Sequence, residues 1–321
     1  MTDSNRKDGP RPDRRFHGVV PAMATPFTRD GEFDEAAVAP LIEGYIAAGV
    51  HGISVAGSQG EFFSMNEAER SRLIEIAVAT INGRVALYAG TGCVTTRDTI
   101  AATRHAERAG ADVALVITPY FAQPTQDELV EHIERVARST SLPVMLYNNP
   151  PRTSVNVLPS TLARCMQTLP NVIGMKDSSG DLTQAVEYLL TPKREALLFS
   201  GRDTVALSML VHGAHGTISP AANVFPELMV RMYERFRIGD LDGARRISDV
   251  FAPLRAAWAL GSFPVVIKEA MAIAGRDVGP TRRPILPLSD AKRSQLRDVV
   301  STIQAESARI LAEPAPSRAA A

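Results

Sequence analysis

Residues 113–148 read VALVITPYFAQPTQDELVEHIERVARSTSLPVMLYN. The two ends, 113–118 and 143–148, are short, almost continuously apolar and rich in β-branched residues. Between them, 125–140 is a longer amphipathic stretch. Strands this uniformly apolar belong to a parallel sheet covered on both faces, and the segment between them is the crossover helix. The same unit recurs in both directions along the chain. Strands are expected at 18–25, 52–57, 85–90, 113–118, 143–148, 172–176, 196–201 and 216–220. Helices are expected at 34–47, 66–81, 96–110, 125–140, 158–168, 182–190, 203–212 and 226–238. Local signals agree: Val38, Leu41, Ile42 and Tyr45 share one helical face. Asn66 with Glu69 spells a capping box, and Gly110 and Gly213 stand where helices end.

Eight strand–helix units of regular length predict an α/β fold, a (β/α)8 TIM barrel with a C-terminal helical extension. An open doubly wound sheet could also hold eight strands. Neither GSQGEF at 57–62 nor GTGCVT at 90–95 spells the GxGxxG fingerprint expected there. The expected organisation is a flexible tail at 1–15, the barrel at 16–239, a helical region at 240–311 and a second tail at 312–321.

The chain has 321 residues, 45% hydrophobic, with 35 basic residues against 35 acidic ones. That composition supplies a large core and excludes wholesale disorder. Zero net charge leaves no electrostatic footprint for nucleic acid or an anionic membrane. Two cysteines, Cys93 and Cys165, make no disulfide framework. Six scattered histidines show no HExxH-like spacing, so no metal site is expected. Residues 1–16 lack an apolar signal core, and no apolar run reaches membrane-spanning length. The expectation is a cytoplasmic protein.

In such a barrel the chemistry lies at the carboxyl ends of the strands. Those ends are Ser58-Gln59-Gly60-Glu61, Thr118-Pro119-Tyr120-Phe121, Tyr147-Asn148-Asn149, Lys176, Ser200-Gly201-Arg202-Asp203 and Ser219. Lysine occurs only at positions 7, 176, 193, 268 and 292, so each one can be weighed. Lys176 closes the apolar run Val172–Met175. Desolvated by apolar walls, its amine would be neutral enough to attack a carbonyl. The competing reading is a strand-end lysine paired with Asp177 or Glu61. Lys268, on an amphipathic helix, is expected to snorkel from a packed face.

Tyr147 ends the neighbouring strand, where a phenol beside a cation can move protons; it can equally be packing. Ser58 and Gln59 form a polar turn whose backbone N–H groups could hold a carboxylate. Arg152 is a ready carboxylate fork or a solvated surface charge.

Taken in order, Gly57-Ser58-x-Gly60-Glu61, Thr118-Pro119-Tyr120, Tyr147-Asn148-x-Pro150-x-Arg152-Thr153, Gly174-x-Lys176-Asp177 and Ser200-Gly201-x-Asp203 closely resemble the dihydrodipicolinate synthase / N-acetylneuraminate lyase family. The resemblance covers about residues 18–311. It implies a class I pyruvate aldolase, usually a homotetramer, that forms a lysine Schiff base without any cofactor. Lys176 matches the imine lysine, Tyr147 the proton-shuttling tyrosine and Ser58 the relay hydroxyl. Gln59 belongs to the turn that holds the pyruvate carboxylate. Gly201 and Ile218 match positions lining the ketoacid pocket. Arg152 matches the arginine that receives the second substrate's carboxylate.

The sequence departs from the synthase pattern in two places. Phe121 stands where the synthases carry a second tyrosine that reaches across a subunit contact, and Gln59 stands where the turn has a second threonine. The expected activity is therefore a Schiff-base lyase, an aldolase or dehydratase, acting on pyruvate or a 2-keto-3-deoxy sugar acid. Dihydrodipicolinate synthase activity proper and a non-catalytic 2-keto acid-binding barrel are the alternatives.

Overall fold

The computed structural model describes residues 15–314. Most of the two expected tails lies outside those residues, although Ala312 still belongs to the last helix, Asp290–Ala312. Eight strands form the barrel: β1 Gly18–Pro21, β2 Gly52–Val55, β3 Ala86–Gly90 and β4 Val113–Ile117. The others are β5 Val144–Asn148, β6 Val172–Asp177, β7 Leu197–Ser200 and β8 Gly216–Ser219. Every pairing is parallel, in the order β1-β8-β7-β6-β5-β4-β3-β2. The Ala22–Ser54 bridge closes the ring. β1 stops well short of the expected 25. Pro21 has no N–H for the ladder, and beyond it Ala22 N donates to Ser219 O while Met23 N donates to Ser54 O, both at 2.9 Å.

Helices at Glu35–Ala47, Glu67–Ile81, Thr96–Ala109, Gln126–Ala137, Pro159–Thr168, Leu182–Leu190, Asp203–Val211 and Pro226–Arg237 separate and surround the strands. Asn66 and Glu69 complete the capping box in both directions. One short helix, Pro150–Thr153, was not foreseen; it directly follows β5. Helices at Leu241–Val250, Ala252–Ala256, Val265–Ile273 and Asp290–Ala312 follow the barrel. None of the described helices is long and apolar enough to cross a membrane.

Alternation along the strands sorts the core into two layers. In β4, Val113, Leu115 and Ile117 fill the barrel interior, while Ala114 and Val116 face the helices. Phe199, Ile218, Met145 and Tyr147 join the interior layer. β6 breaks its own alternation. Val172 packs outward and Ile173 inward, yet Met175 again packs outward. The cause is an extra residue: one step in β5, Val144 to Met145, spans two in β6, Val172 to Gly174. This bulge reverses the phase, so Lys176 shares the inner face with Tyr147. Gly174 sits at φ 155, and a Cβ there would lie 1.9 Å from Leu197 O.

The structure corrects the expectation for Lys268. Its side chain does not reach solvent: it is 2% exposed, with Nζ 2.7 Å from Glu61 Oε1. Nζ also donates to Pro280 O at 2.9 Å and sits 4.2 Å from the Phe27 ring centre. Burial, opposed by Glu61, pushes its pKa down to about 8. Glu61 belongs to the turn after β2, so the post-barrel helix Val265–Ile273 is tied to the barrel mouth by a buried ion pair.

Because Gly174 alone permits the close approach of β6 to β7, Gly174→Ala is expected to cost at least about 3 kcal/mol. Chemical denaturation measures this, and an unchanged midpoint would show that the bulge tolerates a side chain.

Candidate active site

Parallel pairing sets Tyr147 opposite Lys176 across β5 and β6. Both are buried, and Lys176 Nζ lies 3.9 Å from the centre of the Tyr147 ring. Neither acid named as an alternative partner is available to this lysine. Asp177, one step along the strand, accepts from Asn148 Nδ2 at 2.8 Å and Ser179 Oγ at 2.6 Å, and Glu61 is held by Lys268. No carboxylate lies within ion-pairing distance of Lys176 among the described residues.

The electrostatics follow from that isolation. Burial lowers the Lys176 pKa below the usual lysine value, and the opposing pull of Tyr147 and Asp203 does not cancel it. For Tyr147, burial raises the pKa. The Lys176 charge and the neighbouring polar groups of Ser58, Ser178 and Asn149 outweigh it, so the phenol ends below its usual value. Asn149 Nδ2 donates to the phenol oxygen at 2.8 Å. An amine shifted toward neutrality and a phenol shifted toward ionisation form an acid–base pair poised for carbonyl chemistry.

A cavity of about 70 Å³ opens above the pair and is lined by Lys176, Tyr147, Gln59, Arg152 and Gly201. Both polar atoms of the Gln59 carboxamide are buried without a hydrogen-bond partner among the described residues. Buried amides left so are costly unless a ligand completes them. Ser58 lines a smaller void on the other side of Tyr147. A Cβ on Gly201 would lie 1.9 Å from Ser178 Oγ, so this glycine keeps Ser178 beside the phenol. Ile218 is fully buried in the interior layer and forms no part of this cavity wall.

The structure gathers Gln59, Arg152 and Gly201 around the Lys176–Tyr147 pair, sets Ser58 in an adjoining void that Tyr147 also lines, and buries Ile218 in the interior layer. It also adds Asn149, Ser178, Arg202, Arg255, Trp258 and Phe263. Asn149 and Arg202 stand at strand ends and were within reach of the sequence reading. Arg255, Trp258 and Phe263 come from beyond the barrel and carried no sequence signal.

The sequence matches the model of the Dihydrodipicolinate synthetase family over residues 15–303. The chain belongs to that family. A 4-hydroxy-tetrahydrodipicolinate synthase of Methanoculleus marisnigri is 40% identical over 288 residues, covering 89% of this chain and 98% of its own. The synonymous enzyme of Nitratidesulfovibrio vulgaris is 38% identical over 287 residues, 89% of this chain and 98% of that one. Among solved structures, a prophage protein of the family from E. coli K12, in complex with pyruvate, superposes with a TM-score of 0.87 at 32% identity. It covers 90% of this chain and 99% of its own. Dihydrodipicolinate synthase from Aquifex aeolicus superposes with a TM-score of 0.87, also at 32% identity, covering 90% and 98%. The family's synthases are lyases, and so is this enzyme.

The two pKa shifts predict a pH signature. Imine formation needs neutral Lys176, so its rate rises with pH through a pKa below the ordinary ~10.4 of lysine. Tyr147→Phe removes the hydroxyl that favours protonated Lys176, so the acid limb moves to lower pH. Turnover still falls by about 10²–10⁴ because the proton carrier is gone. Rate–pH profiles of both forms check this; a limb that stays in place would uncouple the two groups.

Proposed function

We propose that the enzyme forms an imine between Lys176 and the C2 carbonyl of pyruvate or a 2-keto-3-deoxy sugar acid. The observation that carries this reading is the buried, carboxylate-free Lys176 amine, 3.9 Å above the Tyr147 ring and beside the unsatisfied Gln59 amide. Neutral Lys176 attacks C2, the carbinolamine loses water, and the protonated imine draws electrons from C3. That sink makes C3 deprotonation or C3–C4 cleavage accessible, and hydrolysis finally regenerates the amine. Tyr147 moves the protons, with Ser58 as its hydroxyl relay. The 58–59 turn receives the keto acid carboxylate, Gly201 shapes the pocket, and Arg152 faces the second reactant. No cofactor enters the proposal, since the covalent imine does the work. A homotetramer is the assembly proposed from the family.

Tyr120 is half-buried and packs edge-on to Phe62 at 5.7 Å. Phe121 stands 93% exposed at φ 71, turned away from the chain's own site. Wherever an assembly places that ring, it contributes no hydroxyl. This favours a sugar-acid aldolase or dehydratase over dihydrodipicolinate synthase proper, the activity named for the relatives.

Borohydride reduction with saturating pyruvate is expected to add one reduced pyruvate to Lys176, and Lys176→Ala to abolish it. Turnover on 2-keto-3-deoxygluconate should then exceed that on pyruvate with aspartate semialdehyde. Absence of the adduct, with pyruvate still bound, would leave a non-catalytic binding barrel. A faster synthase rate would overturn the choice made from Phe121.

A further inference from the structure

Neither the Ser58 nor the Gln59 backbone N–H donates to any group among the described residues. Both remain available to a carboxylate. Their direction is set slightly further along the chain, where Gly60 N donates to Gly57 O at 3.0 Å and Glu61 N to Ser58 O at 3.1 Å. Glu61 itself stands at φ 56, in the left-handed region that disfavours a side chain. Such a residue persists only where its surroundings hold it.

The holding contacts come from the chain after the barrel. Lys268 Nζ reaches Glu61 Oε1 at 2.7 Å, and Arg282 N donates to Oε2 at 3.0 Å. Lys268 is fixed in turn by Pro280 O at 2.9 Å and by the Phe27 ring, whose centre lies 4.2 Å from Nζ. The Arg282 guanidinium lies 4.3 Å from the centre of the same ring, but it is spent on Gly31 O, Ser64 O and Glu69. Lys268 is thus the side-chain cation that neutralises Glu61.

That amine is buried but not sealed. Lys268 lines a cavity of about 340 Å³ together with Arg29, Glu269, Asp277, Thr281 and Arg293. A space of this size admits water, so the amine can exchange its proton in the folded enzyme. The charges around it are Glu61 from the β2 turn, Arg282 and Asp277 from the segment after its own helix, and Arg29, Glu269 and Arg293 on the cavity wall. Glu269 and Arg293 pair with each other at 3.2 Å. Burial, opposed by Glu61, puts the Lys268 pKa at about 8. Below that pH the pair with Glu61 is intact; above it the amine turns neutral and Glu61 loses its counter-ion.

We propose that Lys268 is a positioning residue for the keto acid: paired with Glu61, it holds the 57–61 turn with the Ser58 and Gln59 N–H groups aimed at the substrate carboxylate. The inference rests on the reading that this turn receives that carboxylate. It makes keto acid affinity depend on the charge of a residue that does not line the cavity above Lys176.

The test is borohydride trapping of pyruvate on the full-length enzyme, with half-saturation read at about pH 7 and about pH 9.5 for wild type and Lys268→Met. At the lower pH the variant should need about 10-fold more pyruvate, the worth of one hydrogen bond to a charged group. The trapping rate at saturation should change less than half-saturation does. At the higher pH the wild type has lost the same charge, so the ratio should fall toward one. Titration of Lys176 is common to both proteins and cancels. Glu61→Gln should behave alike, and the double variant should be no worse than either single one, because the pair acts as a unit. Denaturation midpoints show which variants fold, and Glu61→Gln carries the same comparison if Lys268→Met does not. A ratio near one at the lower pH, or one that persists at the higher pH, overturns the inference alone. A wild type that forms no adduct overturns the imine reading instead.

Discussion

The site depends on one extra residue in β6. A strand alternates its side chains strictly, so Ile173 facing the barrel interior would send Lys176 out among the helices. The bulge at Ile173–Gly174 restores the inward phase two residues before the lysine. Gly174 makes it possible, because its φ of 155 and its approach to Leu197 O exclude any side chain. Once Lys176 points inward, burial and the absence of a carboxylate partner set its protonation, and the register with β5 sets Tyr147 beside it. The chemistry is thus inherited from backbone geometry more than from any neighbouring charge.

A second constraint holds the turn after β2. Glu61 adopts φ 56, and its carboxylate is buried against Lys268 from the post-barrel helix Val265–Ile273. The backbone N–H of Arg282 donates to its other oxygen at 3.0 Å. Thr25 Oγ1 donates to Gly60 O at 2.6 Å from the opposite side. The turn that carries Ser58 and Gln59 is therefore clamped by the barrel and by the C-terminal region together. Two buried charges are costly to desolvate, so the pair is better read as a device for position than for stability. It also removes Glu61 as a counter-charge for Lys176, leaving the amine free for chemistry.

The same C-terminal region completes the mouth. The barrel alone would present Lys176, Tyr147 and Arg152 beneath an open rim. Arg255, Trp258 and Phe263 close part of that rim, and Arg255 brings a cation that has no carboxylate within 4 Å among the described residues. The cavity is consequently built from two parts of the chain: the Lys176–Tyr147 pair on adjacent strands, and the residues that cover it from the helices that follow. Such a division lets the cover vary while the strand ends stay fixed.

Much of this was legible in the linear chain. The eight apolar runs, their spacing and the residues closing them decided a barrel and where its chemistry would lie, because hydrophobic pattern and turn residues act locally. Lys176, Tyr147, Ser58, Gln59, Arg152 and Gly201 could be named as candidates for a similar reason: strand ends, the loops after them and the motifs they carry can be read in the sequence. The failures share a cause. Lys268 looked like a surface-seeking lysine because its partner, Glu61, is 207 positions away in sequence, and the two meet only in the folded barrel. The inward turn of Lys176 required a bulge, and the cover of Arg255, Trp258 and Phe263 over the cavity required the chain after the barrel to fold back over the mouth. The sequence by itself determined the barrel and most of the catalytic candidates. Only the tertiary structure decided which way the lysine faces, which acids are spent elsewhere and which cations share its cavity, because these depend on contacts between distant segments.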